Sequence, residues 1–67
     1  MFAYKINVLK ELKAAGYTTT RLRNEKILGE RSIQLIRHNE MVGIIALERL
    51  CQLLDKQPGD IIYYIKE

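Results

Sequence analysis

Ile44, Leu47, Leu50, Cys51 and Leu54 recur at i, i+3, i+6, i+7 and i+10, the strongest helical periodicity in the chain. Side chains at that spacing lie on one side of an α-helix and need another element to cover them. Gly43 is an acceptable cap, so the stripe predicts a central core helix from there to about Asp55, around which the other apolar segments must be arranged. At 67 residues the chain makes one domain, and a domain of that size buries only about 60% of its unfolded surface. Stability will therefore be modest. A hydrophobic content of 48% with four glycines and one proline suits a globular chain rather than a disordered one.

Shorter elements fall on either side of that helix. Asn7 can cap a first helix carrying Val8, Leu9, Leu12 and Ala15 on one side, and Gly16 stops it. Thr18 can cap a second, from about Thr19 to Lys26, with Leu22 as its core residue. Gly29 opens a third, Glu30 to Arg37, with Ile33 and Ile36 buried, an acid in its first turn and a base in its last. Pro58 suits the first position of a short fifth helix, and Asp60 in its first turn fits the helix dipole. At the ends, Phe2, Tyr4 and Ile6 alternate with polar or small residues, and Ile61, Tyr63 and Ile65 share a face. An antiparallel pair of these segments would tie the termini together; two frayed extensions are the alternative. The expected architecture is all-α, five helices with a possible short strand pair.

Charge is unevenly distributed. Arg21, Arg23, Lys26, Arg31 and Arg37 face only Glu25 and Glu30 within Arg21–Arg37, and the rest of the chain is balanced, so the whole net charge of +3 lies in this segment. Its helices are broken near Ile27–Gly29, which reads as a helix-turn-helix that docks on DNA. On charge alone, a solvated polar face is the simpler reading, since the excess is small.

The order of elements, together with ALERLCQLLDKQPGDIIYY, resembles the Cro-type helix-turn-helix regulators of phage and bacteria, small domains with a lambda-repressor-like fold. The resemblance extends from about Val8 to Tyr64 and is closest in the C-terminal half, whose residues are scaffold. It implies a repressor-like regulator that reads double-stranded DNA with its third helix. Glu30, Arg31, Ser32, Gln34 and Leu35 would face the bases, and Thr19, Thr20, Arg21, Arg23, Arg37, His38 and Asn39 would face phosphate. The chemistry is suitable: Arg pairs with guanine O6 and N7, Gln with adenine, Glu accepts from cytosine N4, and Leu can touch a thymine methyl. Such domains usually act as dimers, so a homodimer, at least on DNA, is expected. The chain departs from the family pattern in three places. Ile27 stands where a turn glycine is usual, with Gly29 as the expected source of flexibility; Arg23 stands where alanine is common; and Gly29 stands where a Ser or Thr cap is usual.

Other functions lack a signature. There is no glycine-rich phosphate loop, metal-ligand cluster or nucleophile with a histidine partner, so no enzyme activity, cofactor or small-molecule ligand is expected. His38 reads as a surface residue and Cys51 as a small hydrophobe; a single cysteine fits a reducing cytoplasm. The longest apolar runs fall short of the roughly 20 residues of a membrane helix, and no leader pattern is evident, so a cytoplasmic protein with no membrane partner is expected. The competing reading is a protein-interaction module that keeps the helix-turn-helix scaffold without binding DNA.

Overall fold

Leu12, Leu22, Ile33, Leu50 and Ile61 are the fully buried large side chains, and each comes from a different helix. The computed structural model describes residues 1–66. In order, the elements are β1 (Phe2–Tyr4), α1 (Val8–Ala14), α2 (Thr19–Asn24), α3 (Glu30–Arg37), α4 (Ile44–Leu54), α5 (Pro58–Ile61) and β2 (Ile62–Tyr64). Val8, Leu28, Ile36, Val42 and Leu47 complete a single core, and α1 packs on both α3 and α4.

Local chemistry starts the helices as expected. Asn7 Oδ1 accepts from the Lys10 amide at 3.3 Å and Thr18 Oγ1 from the Arg21 amide at 3.2 Å. Gly29 and Gly43 begin α3 and α4 without a side-chain cap. The Asp60 carboxylate accepts from the Gln57 amide at 3.3 Å, fixing the start of α5.

The four longer helices share one kind of ending. After α1, the Tyr17 amide bonds the Leu12 carbonyl (2.8 Å) and Gly16 bonds Lys13 (3.0 Å). After α2, Ile27 bonds Leu22 (2.9 Å) and Lys26 bonds Arg23 (3.2 Å); after α3, Glu40 bonds Leu35 (2.7 Å) and Asn39 bonds Ile36 (3.1 Å). These are Schellman closures, which need a left-handed residue just past the helix. Gly16, Lys26, Asn39 and Asp55 fill that place at φ 93°, 54°, 58° and 52°, and Lys56 bonds Cys51 (3.1 Å) after α4. This corrects two expectations. Helix α2 ends at Asn24 rather than Lys26, and the left-handed residue of the turn is Lys26, while Gly29 has an ordinary φ of −68°.

The termini do pair. β1 and β2 run antiparallel with Phe2 opposite Tyr64, Ala3 opposite Tyr63 and Tyr4 opposite Ile62. The C-terminal strand is shorter than the expected run from Ile61 to Ile65: Ile62 and Tyr64 lie opposite Tyr4 and Phe2, and Ile65 follows β2. Ile61 instead closes α5 inside the core. The Phe2 and Tyr64 rings meet edge to face at 5.6 Å, and the Tyr4 hydroxyl donates to the Glu40 carbonyl at 2.8 Å, tying β1 to the loop after α3. Burial pushes the Tyr4 phenol pKa up. One more expectation is corrected: the α4 stripe buries Leu47 and Leu50 and half-buries Cys51 and Leu54, but Ile44 stays 72% exposed.

Substitutions test this scaffold. Leu50→Ala should cost about 2–5 kcal/mol in denaturant unfolding, a large part of the stability of a domain this size. Gly16→Ala should cost about 1 kcal/mol or more, because alanine is strained at positive φ. Gly29→Ser, placed where an added Cβ meets nothing within 4 Å, should gain a few tenths of a kcal/mol as a better cap.

Candidate nucleic-acid interface

The closure after α2 reverses the chain so that Leu28 enters the core and α3 leaves at Gly29. With Ile33 and Ile36 turned inward, Arg31 lies about half a turn away and is exposed. Ser32, Gln34 and Leu35 are half-buried; Glu30, Arg37, His38 and Asn39 are exposed. Four of the residues expected to read bases or phosphate therefore lie along α3 and its C-cap: Arg31, Arg37 and His38, which are exposed, and Gln34, which is half-buried.

The acids of the segment determine which cations remain available. Glu30 accepts from Arg23 Nε at 2.5 Å and Arg23 Nη2 at 3.2 Å, and from Gln34 Nε2 at 2.9 Å. These bonds brace α2 against α3 and anchor the Gln34 amide through its nitrogen. Glu25 accepts from Arg21 Nε at 2.7 Å; Arg21 Nη1 also donates to the Gly16 carbonyl at 2.9 Å, and its guanidinium lies 4.9 Å from the centre of the Tyr17 ring. Arg21 and Arg23 thus have intramolecular partners. Lys26, Arg31 and Arg37 make no ion pair among the described residues, so the local excess of +3 corresponds to three identifiable side chains.

Two further lysines join the start of α2. Lys10 and Lys13 of α1 line a groove of about 440 Å³ with Thr18 and Thr19. Thr19 is half-buried there, whereas Thr20 is exposed. Sequence reasoning missed both lysines because it treated α1 as an isolated amphipathic helix; their i, i+3 spacing beside a capped helix start was the available signal. Leu35 turns toward a different groove, of about 410 Å³, shared with Ile27, Leu28, Ile44 and Ile45. Among the described residues, no group of three His, Cys, Asp or Glu side chains could hold a metal, and no helix is long and apolar enough to cross a membrane.

Hydrogen bonds from Gln34 and then from Arg23 hold the Glu30 carboxyl below its ordinary value of 4.5. A group whose pKa is depressed by folding stabilises the fold above its unfolded value, and that contribution fades as pH falls through the folded value. An NMR titration should give Glu30 a midpoint below 4.5, and Gln34→Ala should move it up.

No curated protein and no solved structure matches the chain. The family profile described as the Cro/C1-type HTH DNA-binding domain matches residues 7–67. That span takes in all five helices and β2. The chain belongs to the Cro/C1-type helix-turn-helix DNA-binding domain family, and its general role is that of a DNA-binding regulator.

Proposed function

We propose that this protein is a sequence-specific, double-stranded DNA-binding regulator that acts as a repressor and inserts α3 into the major groove. The observation that carries the reading is the sorting of charge: both acids of the α2–α3 segment are occupied by Arg21 and Arg23, while Lys26, Arg31 and Arg37 stay exposed without an ion pair. Arg31 is the leading base reader, by two donors to guanine, and Gln34, oriented by Glu30, is suited to adenine. Ser32 can bond either base edge. Leu35 is less accessible, and Glu30 acts on its neighbours rather than on cytosine.

Phosphate contacts fall to Arg37, His38 and Asn39 at one end of α3 and to Lys26 in the turn. Thr19 and Thr20, with Lys10 and Lys13 beside them, serve the strand at the start of α2. Such contacts fix register and supply salt-dependent affinity, whereas base contacts supply preference. Repression needs nothing more than occupancy of a promoter, which a domain of this size can provide by itself. Two copies on half-sites about one helical turn apart would give a palindromic operator.

Selection from a randomised duplex pool at two salt concentrations tests the reading, with enrichment of a short motif as the expected result. No retention at low salt would favour the protein-interaction module. On the selected duplex, Arg31→Ala should cost about 1–3 kcal/mol and relax one base position, while Arg37→Ala should weaken every sequence and lower the salt slope by about 1. Glu30→Gln should tighten binding to unrelated duplexes and steepen the slope by about 1, because Arg23 is released and a carboxylate is removed. Unchanged affinity in both arginine variants would sink the assignment of this face.

A further inference from the structure

A single side-chain hydrogen bond joins α4 to the turn between α2 and α3. Arg49 Nη1 donates to the Ile27 carbonyl at 3.2 Å, across 22 positions of sequence. Arg49 makes no ion pair among the described residues, so its charge is not neutralised and strengthens this bond. Its base is fixed as well. Leu50, the next residue of α4, is fully buried and sets how that helix is turned, so the exposed Arg49 side chain reaches the turn from a rigid support.

We infer that Arg49 is a positioning residue for base reading: it holds the Ile27–Leu28 peptide and so fixes the direction in which α3 leaves the turn. The inference rests on the proposed DNA reading. That peptide plane is otherwise lightly held, since its amide end, on Leu28, reaches the Leu22 carbonyl only at 3.5 Å, beyond the usual range of about 2.7–3.2 Å. Arg49 supplies the shorter bond. Nothing at the helix start replaces it, because Gly29 comes next and opens α3 without a side-chain cap. A rotation of the plane therefore passes directly into Gly29 and swings Arg31, two residues on, against the bases. The Arg23–Glu30 brace ties α3 to α2, and Arg49 ties the turn to α4, so the segment is fixed from two helices.

The second effect is electrostatic. Arg31 and Arg49 line the same groove, of about 410 Å³, and no carboxylate borders it among the described residues. With the Arg49 guanidinium held at the turn, a like charge faces Arg31 inside the groove, and Arg31 finds no acid there to fold back on. Extension away from the groove, where a guanine edge would meet it, is the favoured direction. Arg49 lies outside the segment Arg21–Arg37 that holds the net charge, and its role needs no contact with DNA.

Arg49→Met keeps an unbranched stem and removes the donor. Amide hydrogen exchange tests the anchor without DNA: the Ile27 and Leu28 amides should exchange about ten-fold faster in the variant, with those of Leu12 and Leu50 unchanged. Unaltered exchange in the turn overturns the inference. On the duplex selected as above, Arg49→Met should lower affinity about ten-fold, with the affinity for an unrelated duplex and the salt slope at wild-type values. In an Arg31→Ala background the same change should cost about two-fold or less, because both residues act on one contact; full additivity overturns the inference. A loss shared by every duplex, with the slope lowered by about 1, would make Arg49 a phosphate contact. A shared loss with a lower thermal midpoint would make it structural only, and either result overturns the inference. A wild-type chain with no duplex preference would remove the DNA reading and leave the turn anchor to be judged by exchange alone.

Discussion

Five side chains, one per helix, meet in the interior, and no helix has a second fully buried large residue to replace its own. This sharing is the constraint behind the rest of the architecture. Because Ile33 is the fixed point of α3, and Ile36 lies three residues on, the rotation of that helix about its axis is set from within. The side chains presented outward follow from that rotation. Leu22 does the same for α2, whose six residues could not hold a position by helix propensity alone. The outer surface is read from the helices, but it is aimed by the core.

Electrostatics then refines what packing has aimed. Arg23 and Glu30 are separated by the turn and joined by two hydrogen bonds, so the brace between α2 and α3 depends on the closure at Lys26 being in place. Both groups are well exposed, and the pair contributes little to stability for that reason. Its effect is on orientation and field. It holds the Gln34 amide in one direction and masks a guanidinium that would otherwise attract phosphate without regard to sequence. A domain with little charge to deploy concentrates it on the lysine and arginines that remain.

Much of this was legible in the sequence where the cause is local. Asn7, Gly16, Thr18 and Pro58 mark helix boundaries through their own backbone and side-chain chemistry, and each does so in the structure. The five helices and the strand pair followed. What was not legible depends on residues far apart in the chain. Periodicity placed Ile44 with Leu47 because it registers residue type, but nothing in the sequence says that the core ends before the first turn of α4. Ile61 was grouped with the strand because it fits a strand and a helix end equally well by composition, and the core took it into α5. At the interface, counting charges gave the correct excess and could not tell which arginines were occupied; Arg23 meets Glu30 only after the chain has turned.

Three of the four left-handed helix ends use Lys26, Asn39 and Asp55 instead of glycine. A side chain in that conformation costs roughly 1 kcal/mol relative to one that avoids it, less for Asn and Asp. The fold therefore tolerates local backbone strain at its corners. Lys26 and Asn39 occupy the surface proposed to meet DNA, where a side chain has work to do, whereas Asp55 lies at the far end of α4. Thermal hardening of this domain by glycine exchange would thus be cheap at one corner and would trade against recognition at the other two.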